Sequence, residues 1–183
     1  MNRKSFIQAL GAIPFIGNPL KGIAEGNEKE NCKTQKDAEG PFYKSSAPPR
    51  TLIEKEGEPL LIEGKIFRAD DCQTTVPNAV LDVWHCDSHG EYDMQGYKCR
   101  GVVKADREGN YSFTTIFPPP YGNRPRHIHF KIRAEGLREL TTQLYFHGDP
   151  NIQNDFARNA EKDRVISLQP MKDMKKGTFN IYL

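Results

Sequence analysis

His127-Ile128-His129-Phe130-Lys131-Ile132-Arg133 alternates polar and apolar residues without a break. Successive strand side chains point to opposite faces, so Ile128, Phe130 and Ile132 share one face and His127, His129, Lys131 and Arg133 share the other. The run predicts a strand with one face in an apolar core and the other in water. Outward from it, further short strand-like runs occupy residues 60–67, 79–85, 102–105, 111–116, 141–146, 165–168 and 178–183. Turn sequences such as Pro77-Asn78 and Asp106-Arg107-Glu108-Gly109-Asn110 separate them. Eight short strands with turn signals between them predict an all-β sandwich with long loops and little helix. Residues 151–160 read as a short helix, and the lysines from 172 to 176 read as a solvated turn.

The chain has 183 residues, 37% of them hydrophobic and 10% aromatic, enough for one domain with a proper core. The net charge of +2 excludes the strong basic field of a nucleic-acid binder. Asn2-Arg3-Lys4-Ser5 is a basic start, residues 6–20 are mostly apolar, and Gly22-Ile23-Ala24 offers small residues for a signal peptidase. Residues 1–24 therefore read as an export signal, and Arg3-Lys4 resembles a twin-arginine signal with Lys in second place. Gln8, Pro14 and Asn18 interrupt the apolar run, so no membrane span is expected in the mature form. Residues 25–58 read as a polar lead-in and arm, and 59–183 as the sandwich domain. Four cysteines, Cys32, Cys72, Cys86 and Cys99, suit an exported chain, and none forms a Cys-x-x-Cys zinc pair.

Two imidazoles on one strand face can bind one metal ion. Tyr92 follows Gly90-Glu91, and Tyr121 follows Pro118-Pro119-Pro120. Two phenols added to two imidazoles make a mixed nitrogen and oxygen donor set, and anionic phenolate suits a hard ion such as ferric iron. The plainer reading of His127-x-His129 is the polar face of a half-buried strand, and tyrosines after Gly or Pro are common loop residues.

Trp84-His85-Cys86-Asp87-Ser88-His89-Gly90-Glu91-Tyr92, Gly109-Asn110-Tyr111-Ser112-Phe113-Thr114-Thr115-Ile116 and Arg124-Pro125-Arg126-His127-Ile128-His129-Phe130 resemble the core of the intradiol ring-cleavage dioxygenases. Glu39-Gly40-Pro41-Phe42-Tyr43 and Thr142-Gln143-Leu144-Tyr145-Phe146-His147-Gly148-Asp149-Pro150 resemble two more segments of that family, in order along the chain. The short lead-in is closer to the exported, single-domain members than to those with an N-terminal helical dimerisation region.

The resemblance implies a ferric ion, Fe(3+), held by Tyr92, Tyr121, His127 and His129. It implies a catechol-type aromatic diol and O2 as substrates and a muconate-type diacid as product. Tyr121 would leave the metal as substrate arrives and take a substrate proton. Arg124 would stabilise charge developing on the substrate, Gln143 would lie near the dioxygen side, and Tyr43 would line the substrate pocket. Commoner fates for these three are a surface Arg, a polar strand residue and an aromatic packed under the arm. His85, His89 and His147 read as pocket-rim or surface residues. Four cysteines allow three pairings. The pairings expected are Cys86 with Cys99, stapling the loop of Tyr92, and Cys32 with Cys72, tying the arm to the sandwich; free, partly buried thiols are the plainer alternative. The same strand pattern also fits a non-catalytic transthyretin-like or carbohydrate-binding sandwich module, so fold alone does not decide function. Assembly into a homo-oligomer is left open.

Overall fold

The computed structural model describes residues 32–183, so the expected export signal lies outside the described residues. Ten strands fall into two five-stranded sheets: β1 (Pro59–Phe67), β2 (Val80–Trp84), β3 (Arg100–Lys104), β4 (Asn110–Ile116), β5 (His127–Arg133), β6 (Leu140–Phe146), β7 (Val165–Ile166), β8 (Gln169–Met171), β9 (Met174–Thr178) and β10 (Ile181–Tyr182). One sheet runs β3-β2-β5-β6-β7. In the other, β1 pairs antiparallel with β4 on one edge, and on its opposite edge runs parallel to β9 and then β10. The sandwich expected from the alternation is present.

The inward residues of both sheets form one core. Leu60, Ile62 and Ile66 of β1 meet Leu81 and Val83 of β2 and Ile128, Phe130 and Ile132 of β5 within it. Burying each of these side chains contributes roughly 1.5–3 kcal/mol against the entropy of ordering the chain. Gly64 allows a close approach: a Cβ there would lie 1.9 Å from the Phe179 carbonyl oxygen, which also accepts from Tyr111 Oη at 2.6 Å. That contact sits where the outer edge of β1 changes partner from β9 to β10.

The C-terminal region differs from the expectation. The lysine cluster is not a plain turn. Lys172 and Asp173 link β8 to β9, and Lys175 and Lys176 lie on β9 paired with Glu58 and Glu63. Charge on an edge hairpin hides the strand signal because both faces look solvated. The expected helix is a set of 3-10 turns, Ile152–Asn154, Phe156–Asn159 and Lys162–Arg164. Among the described residues no helix is long and apolar enough to cross a membrane.

The lead-in and arm are woven into the sandwich. Thr34 N donates to Tyr182 O and Asp37 N to Thr141 O. Further on, Pro49 bridges to Val102 of β3 and Leu52 to Thr114 of β4, so the arm spans an edge of each sheet. Cys32 and Cys72 form the expected disulfide. Cys86 and Cys99 do not: both are buried free thiols. Their local backbone pairing places His85 N on Cys99 O, while the Cys86 thiol points to Pro119 O and the Cys99 thiol to Glu54. The two sulfurs have separate surroundings, which corrects the expected staple.

Candidate metal centre and its surroundings

Strand register assembles the site. His129 lies opposite Trp84 of β2 on one side and Gln143 of β6 on the other, and His127 lies opposite Tyr145. Directly paired residues share a face, so these five side chains stand together on the outer face of the sheet. That face is not in water, as simple alternation predicts: His127 and His129 are each 3% exposed. The lead-in roofs it. Gln143 Nε2 donates to Ala38 O at 2.7 Å. Gly40, at φ +73°, passes over His129 so closely that a Cβ would lie 3.6 Å from its Cε1.

Three donor atoms converge there. Tyr92 Oη is 3.0 Å from His127 Nε2 and 3.2 Å from His129 Nε2. His127 Nδ1 is 2.7 Å from Pro125 O, which can only accept. The ring proton of His127 is therefore on Nδ1, and a lone pair on Nε2 faces the phenol. Burial holds His127 down to about 4 and His129 well below the usual imidazole range, so both rings are neutral. Burial pushes the Tyr92 phenol well above its usual value, so without a cation it keeps its proton.

One phenol proton cannot satisfy two imidazole lone pairs, and His129 Nδ1 is buried without a hydrogen-bond partner. A cation between the three atoms would be met by both rings and by a phenolate at once. Among the described residues no three His, Cys, Asp or Glu side chains gather as a metal cluster, so oxygen donors here come from phenols. That donor chemistry fits a hard trivalent ion. Tyr121 meets Tyr92 edge-on, with ring centroids 5.3 Å apart, and its hydroxyl makes no hydrogen bond among the described residues.

Tyr92 stands on a loop held by three cationic side chains, one of them buried. Phe42 stacks flat on its ring, 4.3 Å between centroids. Arg100, 1% exposed, donates to Asp93 O at 2.9 and 3.1 Å and to Phe42 O at 2.6 Å. One guanidinium thus ties together the backbone beside both rings of the stack. Lys44 donates to the carbonyls of Met94, Gln95 and Gly96, and Arg50 to those of Tyr97 and Arg100. Sequence reading quoted Phe42 in a resembling segment but gave it no role, and missed Lys44, Arg50 and Arg100, because backbone acceptors leave no pattern of residue types.

Arg124 Nε donates to Asp155 Oδ2 at 2.9 Å and Nη2 to Gln143 Oε1 at 3.1 Å, while the Phe156 ring lies 4.2 Å from the guanidinium carbon. The structure therefore brings Arg124 and Gln143 together beside the histidines. Tyr43 sits one layer away: its hydroxyl donates to Asp82 at 2.7 Å and its ring packs on Trp84, which stacks on His129 at 4.7 Å. His85 is neither rim nor surface. It is 1% exposed and held between Cys86 O and Thr115 Oγ1, both at 2.7 Å. His89 and His147 are exposed.

A family model described as "Dioxygenase" matches residues 38–183. Catechol 1,2-dioxygenase 2 of Acinetobacter lwoffii is 30% identical over 173 positions, covering 79% of this chain and 62% of that protein. Chlorocatechol 1,2-dioxygenase of Rhodococcus opacus is 32% identical over 168 positions, covering 74% of this chain and 65% of its own length. The chain thus spans 62% and 65% of the length of these two relatives. Among solved structures, the dioxygenase domain of a dioxygenase carbohydrate-binding protein fusion from Streptomyces sp. SirexAA-E has a TM-score of 0.76 and 34% identity, covering 82% of this chain and 97% of that one. With the family model running from the lead-in to the last strand, this chain belongs to the intradiol ring-cleavage dioxygenases.

Proposed function

We propose that the protein is a ferric intradiol dioxygenase that opens a catechol-type ring between its two hydroxyls with O2, giving a muconate-type diacid. The observation that carries this reading is the convergence of Tyr92 Oη on the Nε2 atoms of His127 and His129 at 3.0 and 3.2 Å. Tyr92, Tyr121, His127 and His129 would hold the iron. When bound, ferric iron would draw electron density from the diol and make the ring reactive toward O2.

The chain's own residues supply the rest. The neutral imidazoles leave the phenolates and substrate to balance the metal's charge. Tyr121, deprotonated while it holds the ion and bonded to no other described residue through its oxygen, would accept a proton from a substrate hydroxyl on its release. Arg124 is aimed by Asp155 and Gln143 and stabilises negative charge as it develops on the ring, a fixed charge partner that needs no reorganisation. Phe42 and Tyr43 sit on successive layers of the aromatic wall, Phe42 against Tyr92 and Tyr43 against Trp84. We place this activity outside the cytoplasm, a reading the Cys32–Cys72 disulfide supports.

The test is colour and turnover. Protein loaded with iron should bind about one ion per chain, show a visible phenolate-to-iron charge-transfer band, and consume O2 with a panel of substituted catechols. Colourless protein that binds no iron and leaves every catechol intact would return the chain to the non-catalytic sandwich reading.

A further inference from the structure

We propose that Asp37 and Tyr145 are positioning residues for Arg124, so that one side chain of the lead-in, Asp37, is part of the catalytic apparatus. The inference rests on the dioxygenase reading above.

Gln143 Nε2 donates to Ala38 O at 2.7 Å, which fixes the amide's orientation and turns its Oε1 toward Arg124 Nη2 at 3.1 Å. Tyr145 Oη has three polar neighbours: Asp37 Oδ2 at 2.9 Å, Gln143 Oε1 at 3.0 Å and Arg124 Nη2 at 3.3 Å. It has one proton to give. A carboxylate is a stronger acceptor than an amide oxygen, so the proton goes to Asp37. The phenol's lone pairs then face Arg124, and Nη2 donates to Tyr145 and Gln143 together. Guanidinium can only donate, so the two protons of Nη2 go to its two nearer acceptors, with Asp155 Oδ1 farther off at 3.4 Å.

Asp37 is itself fixed. Its carboxylate pairs with Arg164, the two side chains 7% and 4% exposed. Arg164 also donates to Gln143 O at 3.1 Å and to Gln35 Oε1. Asp37 N is bonded to Thr141 O. The chain Arg164–Asp37–Tyr145–Arg124 thus crosses from the lead-in to the guanidinium through side chains that cannot swing. Its charges balance, with Arg164 and Arg124 against Asp37 and Asp155. Without Asp37 the phenol proton turns to Gln143 Oε1 and competes with Arg124. The guanidinium then keeps its partners on the Asp155 and Phe156 side, away from the histidines.

The test compares wild type, Tyr145→Phe, Asp37→Asn and the exposed-site control Lys36→Ala, all iron-loaded, with catechol as substrate. Tyr145→Phe should lower kcat about tenfold to a hundredfold, the scale of a misplaced catalytic group, with KM within about twofold and iron content unchanged. Asp37→Asn should follow it, and Lys36→Ala should match wild type. Wild-type kcat in Tyr145→Phe would overturn the proposal, as would a loss of activity that tracks loss of iron. Should Asp37→Asn fail to fold, Tyr145→Phe still decides. A crystal structure of Tyr145→Phe reads the geometry directly: with the phenol acceptor gone the guanidinium should move from its wild-type place, and an unmoved guanidinium would overturn the positioning role. Iron-bound wild type that cleaves no catechol would sink the dioxygenase reading instead, leaving the crystal structure to judge the positioning.

Discussion

The two kinds of proposed ligand are held in opposite ways. His127 and His129 stand on β5, between two paired strands, with their spacing set by the pleat and their neighbours by register. Tyr92 and Tyr121 stand on irregular chain. Tyr92 is placed by a stack on Phe42 and by Lys44, Arg50 and Arg100 bonded to backbone carbonyls around its loop. The strand half is rigid because many small ladder bonds share the load. The loop half is rigid because a few cations, buried Arg100 among them, satisfy carbonyls that would otherwise lack partners. One half can be lost only with the sheet. The other can be loosened by a single side chain.

The largest effect should come from removing a ligand of either kind. His129→Ala and Tyr92→Phe should each abolish iron retention and visible colour, beyond the ~10–100-fold that loss of an outer partner costs. Retained iron in either, measured by metal analysis after chelator dialysis, would remove that residue from the centre. Next, the sheet half should be sensitive to acid through His85. Burial lowers His85 from 6.5 to about 4. The unfolded chain therefore takes up a proton more readily, so the stabilisation is complete above pH 6.5 and lost as pH falls toward 4. The loss should reach about 3 kcal/mol for this group in the metal-free protein. Urea titrations at pH 7 and pH 4.5 should show it, and His85→Gln should reduce the difference by about that amount, leaving the share of His127 and His129; an undiminished difference in the variant would refute the assignment.

The loop half should respond to Arg100. Arg100→Met should weaken iron binding about 10–100-fold in chelator competition while the sheets stay folded. Arg133→Met, which removes a partly exposed partner of Asp82 at the far end of β5, should leave affinity unchanged. Equal affinities for the two variants would erase the contrast between loop and strand. The smallest effect should be that of Lys44→Met. Losing three carbonyl partners should speed amide exchange in residues 94–97 by about tenfold, the scale of one net hydrogen bond to a charged group, with little change in iron affinity.

The same contrast explains what could be read from the sequence. His127-x-His129 was legible because strand periodicity puts both rings on one face whatever the fold around them. Gln143 and Tyr145 share that period on the neighbouring strand β6, so a register argument could have found Tyr145. Asp37 could not be found that way: the lead-in has no period, and its partners lie 108 and 127 residues along the chain. Arg100 carried no signal either, since its acceptors are carbonyls. The β8–β9 hairpin was hidden by lysines whose partners, Glu58 and Glu63, lie on and just before β1. The spacing of Cys86 and Cys99 suggested a staple, but spacing does not report which way a side chain points.

Trp84 is the only tryptophan in the chain, and its indole lies flat against the imidazole of His129, 4.7 Å between centroids at 6°. All indole fluorescence therefore originates one ring away from the candidate metal centre. Whatever changes the electron-accepting strength of that imidazole, whether a bound cation or a proton, changes how fast the neighbouring excited state is quenched. The protein thus carries its own optical gauge of occupancy, read in emission intensity and lifetime with no added dye.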